Sequence, residues 1–277
     1  MTPDAEPTAR LAPSGTQSVE RVVGMLRVVA SRGRSGMRLS DIAAATGLPA
    51  STCHRLLQRL ALEGLLERHA VTRKYLLGPL LHELGLLARP RFPLSERCEH
   101  TLAALAEQTQ DTVYLSERRG LEAVCSARAL GDYPIKALTL DVGIRRPLGV
   151  GAGGLAILCG LPPAEADEII EANAQRYAKL SRLDAASVRA AVDQGRQNGY
   201  AFLDSAVYPG TAAVGVAFPG QAPQAAISVA AVSTRLDAPR RAWVASHLAA
   251  QMAALARSVD QAALAPVRPA AGAMAKP

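Results

Sequence analysis

The sequence predicts an α+β protein: an N-terminal winged helix-turn-helix over residues 18–78, then a larger mixed domain over 94–260. Three observations predict this. Two short helical patterns are separated by only a Gly-Leu-Pro turn and are followed by a basic hairpin. Beyond residue 94, strand and helix patterns follow one another without the regular βαβ repeat of a doubly wound sheet. The charge is also divided, with eleven Lys and Arg against five Asp and Glu in residues 18–90, and seventeen of each sign in residues 91–260. A length of 277 residues suits two modest domains. The tails, 1–17 and 261–277, are rich in Pro, Ala and Gly and are expected to be disordered.

The first helix is SVERVVGMLRVVASRG, with Ser18 as its cap and Val22, Leu26, Val29 and Ala30 on one face. Next comes LSDIAAATG, with Ser40 as cap, Ile42 and Ala45 inward, and Gly47 in a left-handed C-terminal turn. The third helix, ASTCHRLLQRLALEG, buries Cys53, Leu56, Leu57 and Leu60. That leaves Ser51, Thr52, His54, Arg55, Gln58 and Arg59 mostly outside the stripe. Hydroxyls early in a helix, then His, Arg and Gln, suit entry into a DNA major groove, where the helix start holds phosphates and Arg and Gln reach base edges. An ordinary amphipathic helix with a solvated face has the same pattern. Leu65–His69 and Tyr75–Leu77 read as hairpin strands with Arg73 and Lys74 near the tip, either a phosphate-binding wing or a solvated loop.

Pro79–Ala88 reads as a leucine-rich helix within an inter-domain linker, 79–93, which Pro90 and Pro93 interrupt. Beyond it the patterns predict a helix at Leu94–Gln110, a hairpin from Thr112–Leu115 and Leu121–Cys125, and a strand at Ile135–Leu140. Helices follow at Gly154–Cys159, Ala164–Ala174 and Ala185–Asn198, then paired strands at Ala213–Ala217 and Ala225–Val232, and a last helix at Arg240–Val259.

Several classes of function are disfavoured. The uncharged stretch 205–234 holds Pro209, Pro219 and Pro223, so it fits no membrane helix, and the start of the chain lacks the apolar core of a signal peptide. Cytoplasmic residence is expected, with the four cysteines, Cys53, Cys98, Cys125 and Cys159, reduced and too scattered for a zinc site. No Gly-x-Ser-x-Gly, supported Cys–His pair or metal-spaced histidine cluster is present, so no enzyme, cofactor or metal is expected. Gly149–Gly154 does satisfy GxGxxG, which leaves a dinucleotide-binding oxidoreductase as the alternative. Arg145-Arg146-Pro147 stands where that fingerprint needs a buried parallel strand, and two helices follow where it needs a βαβ unit. A Gly-rich turn opening a helix, with N–H groups able to face an anion, fits better. A sensor that acts by protein contacts is a third reading, which the basic helix surface opposes.

The run TGLPASTCHRLLQRLALEGLLER followed by RKYLLGPLLHELG closely resembles the DNA-binding domain of the IclR family of bacterial transcriptional regulators. The matching positions are Thr46–Pro49, Ser51–Thr52, Arg55–Leu57, Gly64, Arg73, Tyr75, Leu77 and Gly78. The looser landmarks RRPLGVGAGGLAIL, NGYAFLDSAVYPG and AAISVAAVSTRL extend the resemblance to about residue 258. The resemblance implies a GAF/PAS-like α/β effector-binding domain with an antiparallel sheet and a small-molecule pocket. It also implies double-stranded operator DNA as a partner and a homodimer or homotetramer. Carried residue by residue, it implies Gly151 and Ala152 at the effector carboxylate, with Leu203, Asp204, Ala213, Ser228 and Ala230 also in the pocket. Leu203, Ala213 and Ala230 stand where the family often has Asp, Cys and Ser, so polar atoms are missing, and a bulkier, aromatic organic acid is expected. Arg145 and Arg146 either pair with that acid or are solvated.

Overall fold

A computed structural model describes residues 16–88, 94–219 and 223–264. The chain divides into two compact units, Met1–Arg91 and Phe92–Pro277. The expected tails lie outside the described residues except at their inner ends, where two corrections arise. Helix α1 is Gln17–Ala30, and the last helix, α9, is Ala238–Leu264, past the expected stop. Ala262, Ala263 and Leu264 are strong helix formers, and the first residue to forbid continuation is Pro266. Of the expected linker, residues 89–93 also lie outside the described residues.

In the first unit, α1 is followed by α2 (Leu39–Thr46), α3 (Ala50–Leu62), β1 (Leu66–Arg68), β2 (Tyr75–Leu77) and α4 (Pro79–Leu87). The core is Met25 and Val29 of α1, Ile42 of α2, Cys53, Leu57 and Leu60 of α3, and Leu66 and Tyr75 of the hairpin. Met25 is fully buried while Val22 and Leu26 pack at its edge, so the buried row of α1 is centred one position from the expected stripe. Neither expected cap serves: α1 follows Thr16 and α2 follows Arg38, and the Ser40 hydroxyl bonds its neighbour Asp41 instead.

The second unit is a six-stranded antiparallel sheet between two helical layers. Its elements are α5 (Leu94–Thr109), β3 (Thr112–Arg119), β4 (Glu122–Leu130), β5 (Arg145–Pro147), α6 (Ala152–Gly160), α7 (Pro163–Leu180), α8 (Ala185–Asn198), β6 (Ala201–Asp204), β7 (Thr211–Ala217), β8 (Ala225–Val232) and α9. The strand order is β5-β4-β3-β8-β7-β6, so the first and last hairpins meet along β3 and β8. Side chains alternate across the strands. Val113 and Leu115 of β3 and Ile227 and Val229 of β8 meet α5 and α9 on one face. On the other, Ala123 and Ala226 meet α6, α7 and α8. Asp111, buried just before β3, receives Arg235 at 3.0 Å and Arg240 at 2.9 Å, which ties the start of α9 to the sheet.

One expected strand is absent from this unit, and one stands where none was expected. Ile135–Leu140 is not a strand. It is held by the buried Tyr114 hydroxyl, which donates to the Ala137 carbonyl at 2.7 Å and accepts from the Thr139 N–H at 3.1 Å. Arg145–Pro147 is a strand instead, at the sheet edge, where a proline without an N–H is tolerated. Strand β6 and the extensions of β3 and β4 carry polar residues that masked their pattern. The stretch tested for a membrane span holds β7 and β8, and no helix among the described residues is long and apolar enough to cross a membrane.

Candidate DNA interface and effector cavity

The first unit presents α3 by its anchoring. Gly47 ends α2 with φ 67°, a left-handed conformation that a side chain disfavours, and so turns the chain within Leu48-Pro49 into α3. With Cys53, Leu57 and Leu60 in the core, Ser51, His54, Arg55, Gln58 and Arg59 stand exposed along the opposite face, and Thr52 is half-buried beside them. Arg59 pairs with Glu63 one turn on, while its side chain stays 72% exposed. The hairpin tip is shaped by His69, whose Nδ1 accepts the N–H groups of Val71 and Thr72, both at 3.2 Å, and by Arg73, which adopts φ 58° and is exposed. Lys74 spends one donor on the Ser35 carbonyl at 3.1 Å. Arg38 and Arg68 join Arg73 around a groove between the start of α2 and the hairpin. The sequence reading missed both. Arg38 lies just before α2 and Arg68 two positions after Leu66 in β1, so their placement beside the tip depended on the pairing register.

In the second unit a cavity of about 660 Å³, counting its open mouth, lies between the sheet and the start of α6. It exists because close approach is combined with small side chains. A Cβ on Gly153 would lie 2.5 Å from the Ser116 hydroxyl oxygen, so only glycine lets α6 begin this near the sheet. Of the residues expected in the pocket, Gly151, Ala152, Leu203, Ala213, Ser228 and Ala230 all line it. Asp204 does not. Leu203 points inward, so its neighbour on the strand points away, and the Asp204 carboxylate accepts the hydroxyls of Ser205 at 2.9 Å and Ser233 at 2.6 Å. Ser116, Tyr114 and Thr139 were missed as lining residues, and of the two arginines left open by the sequence only Arg146 lines the cavity. Polar residues at alternate positions of a β strand were the available signal for Tyr114 and Ser116.

The two arginines at the cavity edge separate cleanly. Arg145 pairs with Glu122 at 3.4 Å, and Arg176 holds the same carboxylate. Burial alone would raise the Glu122 carboxyl, but these two guanidinium groups outweigh it and hold it below the usual range. Arg146 lines the cavity and has no carboxylate partner among the described residues. It donates to the Thr139 carbonyl and stacks on Tyr208, with 5.6 Å from Cζ to the ring centre. Burial draws its pKa below the usual guanidinium value. Cys125, behind the cavity, is pushed up to about 11 by burial and stays a neutral thiol. The Gly149–Gly154 turn follows a three-residue antiparallel edge strand, so it lacks the buried parallel strand that dinucleotide binding needs. No metal-holding group of His, Cys, Asp or Glu occurs among the described residues.

The family model for the C-terminal domain of the bacterial transcriptional regulator IclR matches residues 89–260, and the IclR helix-turn-helix domain matches residues 18–70. The chain belongs to the IclR family. Similar curated IclR-type relatives include the HTH-type transcriptional regulator KipR of Bacillus subtilis, 28% identical over 75% of this chain and 83% of that protein. XynR of Escherichia coli is 30% identical over 68% of this chain and 74% of that one. An IclR homolog of Microbacterium hydrocarbonoxydans, solved in complex with 4-hydroxybenzoate, shares the fold with a TM-score of 0.63 and 21% identity, over 85% of this chain and 99% of that one. This IclR-family chain is therefore a ligand-responsive, DNA-binding transcriptional regulator of α+β fold.

Proposed function

We propose that this regulator senses an organic acid with an apolar, aromatic body, and that the bound acid changes its affinity for operator DNA. The observation that carries the proposal is Arg146, a guanidinium without a counter-ion on the wall of a cavity lined mainly by Ala, Val, Leu and Gly. A half-buried charge without a counter-ion loses part of its hydration, and a carboxylate arriving with the ligand offsets that loss. The small side chains at Ala213 and Ala230 leave room for a ring, and a ring needs no hydrogen bonds there. The complex of a similar protein with 4-hydroxybenzoate supports the same chemical class.

In this reading Ser51, Thr52, His54, Arg55, Gln58 and Arg59 contact the major groove and the phosphates beside it. Arg73 and Lys74, helped by Arg38 and Arg68, hold the backbone. Binding as a homodimer or homotetramer to a two-fold operator, in the cytoplasm, completes the account. Effector binding shifts operator affinity by as much as the acid distinguishes the DNA-competent arrangement from the other, and no further.

Two measurements test it. Thermal unfolding with benzoate, 4-hydroxybenzoate, pyruvate and methyl 4-hydroxybenzoate should show stabilisation by the aromatic acids above that by pyruvate or the ester; stabilisation by pyruvate alone contradicts the aromatic class. Arg55→Ala should weaken operator binding by about 1–3 kcal/mol in a gel-shift titration. Unchanged affinity in that variant contradicts the groove assignment.

A further inference from the structure

Two sets of polar groups without a charged partner flank the cavity, on two different walls. On one wall, the hydroxyls of Ser116 and Ser228 have no hydrogen-bond partner among the described residues. Both converge on the first turn of α6, since a Cβ at Gly153 would lie 2.5 Å from one and 3.5 Å from the other. On the other wall stands Arg146, with the exposed Tyr208 beside it. The Tyr208 hydroxyl lies 3.5 Å from the Arg146 Nη2, at the weak limit of a hydrogen bond, and has no other partner. Tyr208 belongs to the turn between β6 and β7, whose Ala206 and Val207 line the cavity. The two walls are separated by the sheet itself. Arg146 lies on β5 and Ser116 on β3, with β4 between them, so about 10 Å of sheet divides the two backbones.

The charges on these walls differ in kind. Arg146 carries a full positive charge with a planar fork of donors that matches a carboxylate. The α6 wall offers neutral hydroxyls and the partial charge of a helix start, roughly half a unit. Tyr208 adds a phenol O–H that can donate to the same carboxylate while its ring continues to cover the guanidinium.

We propose that Arg146 and Tyr208 together form the carboxylate seat of the effector, while Ser116, Ser228 and the first turn of α6 take a second, uncharged oxygen at its other end. The ligand class is then a hydroxylated aromatic monocarboxylic acid, held with its carboxylate away from Gly151 and Ala152. This rests on the reading of the cavity as an acid site and adds to it an orientation, a second polar group and Tyr208 as a specificity-determining residue.

The test is calorimetric titration of the full chain and its variants with benzoate, 4-hydroxybenzoate and methyl 4-hydroxybenzoate. Arg146→Gln should weaken both acids by about 10- to 100-fold, and Tyr208→Phe by about 5- to 15-fold, with the ester changed less than about twofold in each. Arg146→Lys should fall between wild type and Arg146→Gln, because it keeps the charge and loses the fork. The double variant Ser116→Ala, Ser228→Ala should weaken 4-hydroxybenzoate by about fivefold and leave benzoate unchanged. If the serine variant weakens benzoate as much as the hydroxylated acid, the carboxylate sits at α6 and the orientation is overturned. If wild type binds the acids and neither Arg146→Gln nor Tyr208→Phe weakens them, the seat is overturned while the acid reading stands. If wild type binds the ester but neither acid, the acid reading fails and takes the seat with it. Tyr208 stands on a partly exposed turn, so Tyr208→Phe decides the matter even if Arg146→Gln does not fold.

Discussion

On β8, Ile227 and Val229 point toward α5 and α9, whereas Ala226, Ser228 and Ala230 point toward α6. Strand β7 repeats the contrast, with Val214 on the first face and Ala213 and Gly215 on the second. The same strands therefore make a filled core on one side, and on the other a second core that leaves a cavity beside the start of α6. Backbone pairing is common to both faces, so side-chain volume makes the difference. The large side chains of the first face pack against α5 and α9, and the small residues of the second give up contacts to leave space beside a guanidinium without a counter-ion.

That contrast can be broken from either side. Ile227→Ala, on the packed face, should cost about 2–5 kcal/mol in a denaturant titration, because a fully buried side chain would leave a void. Ala230→Leu, on the cavity face, fills space already present and should cost less than about 1.5 kcal/mol by the same titration. It should also weaken aromatic acids at least tenfold by calorimetry. A larger loss of stability from Ala230→Leu than from Ile227→Ala would mean that the second face is packed as tightly as the first. A smaller effect lies in the other unit: Lys74→Ala should lower the salt dependence of DNA binding less than Arg73→Ala, because Lys74 already gives one donor to Ser35.

The two units also differ in how far the sequence disclosed them. The helix-turn-helix was legible almost residue by residue, because a local turn at Gly47 and a 3.6-residue apolar stripe settle which side of α3 is buried. The identity of the cavity wall was legible at Gly151, Ala152, Leu203, Ala213, Ser228 and Ala230 through the family resemblance, yet not at Ser116, and the choice between Arg145 and Arg146 stayed open. Arg146 faces the cavity because β5 pairs with β4 at Ala123, a contact between positions more than twenty residues apart. Asp204 was misplaced by a single residue, which on a strand reverses the side chain. Ile135–Leu140 has strand-like composition, but its backbone is held by side chains, the Tyr114 hydroxyl with Arg128 and Arg146, rather than by a ladder, which composition does not encode.

The central claim is that an acid seated in the cavity controls binding to DNA. Its most direct test is fluorescence anisotropy on a labelled DNA fragment from upstream of the protein's own gene, with and without saturating 4-hydroxybenzoate, for wild type and Arg146→Gln. The account predicts that the acid shifts the midpoint of wild-type binding by about 5- to 150-fold and leaves that of Arg146→Gln unmoved. Equal midpoints with and without the acid in wild type, under conditions where calorimetry shows the acid bound, would contradict it.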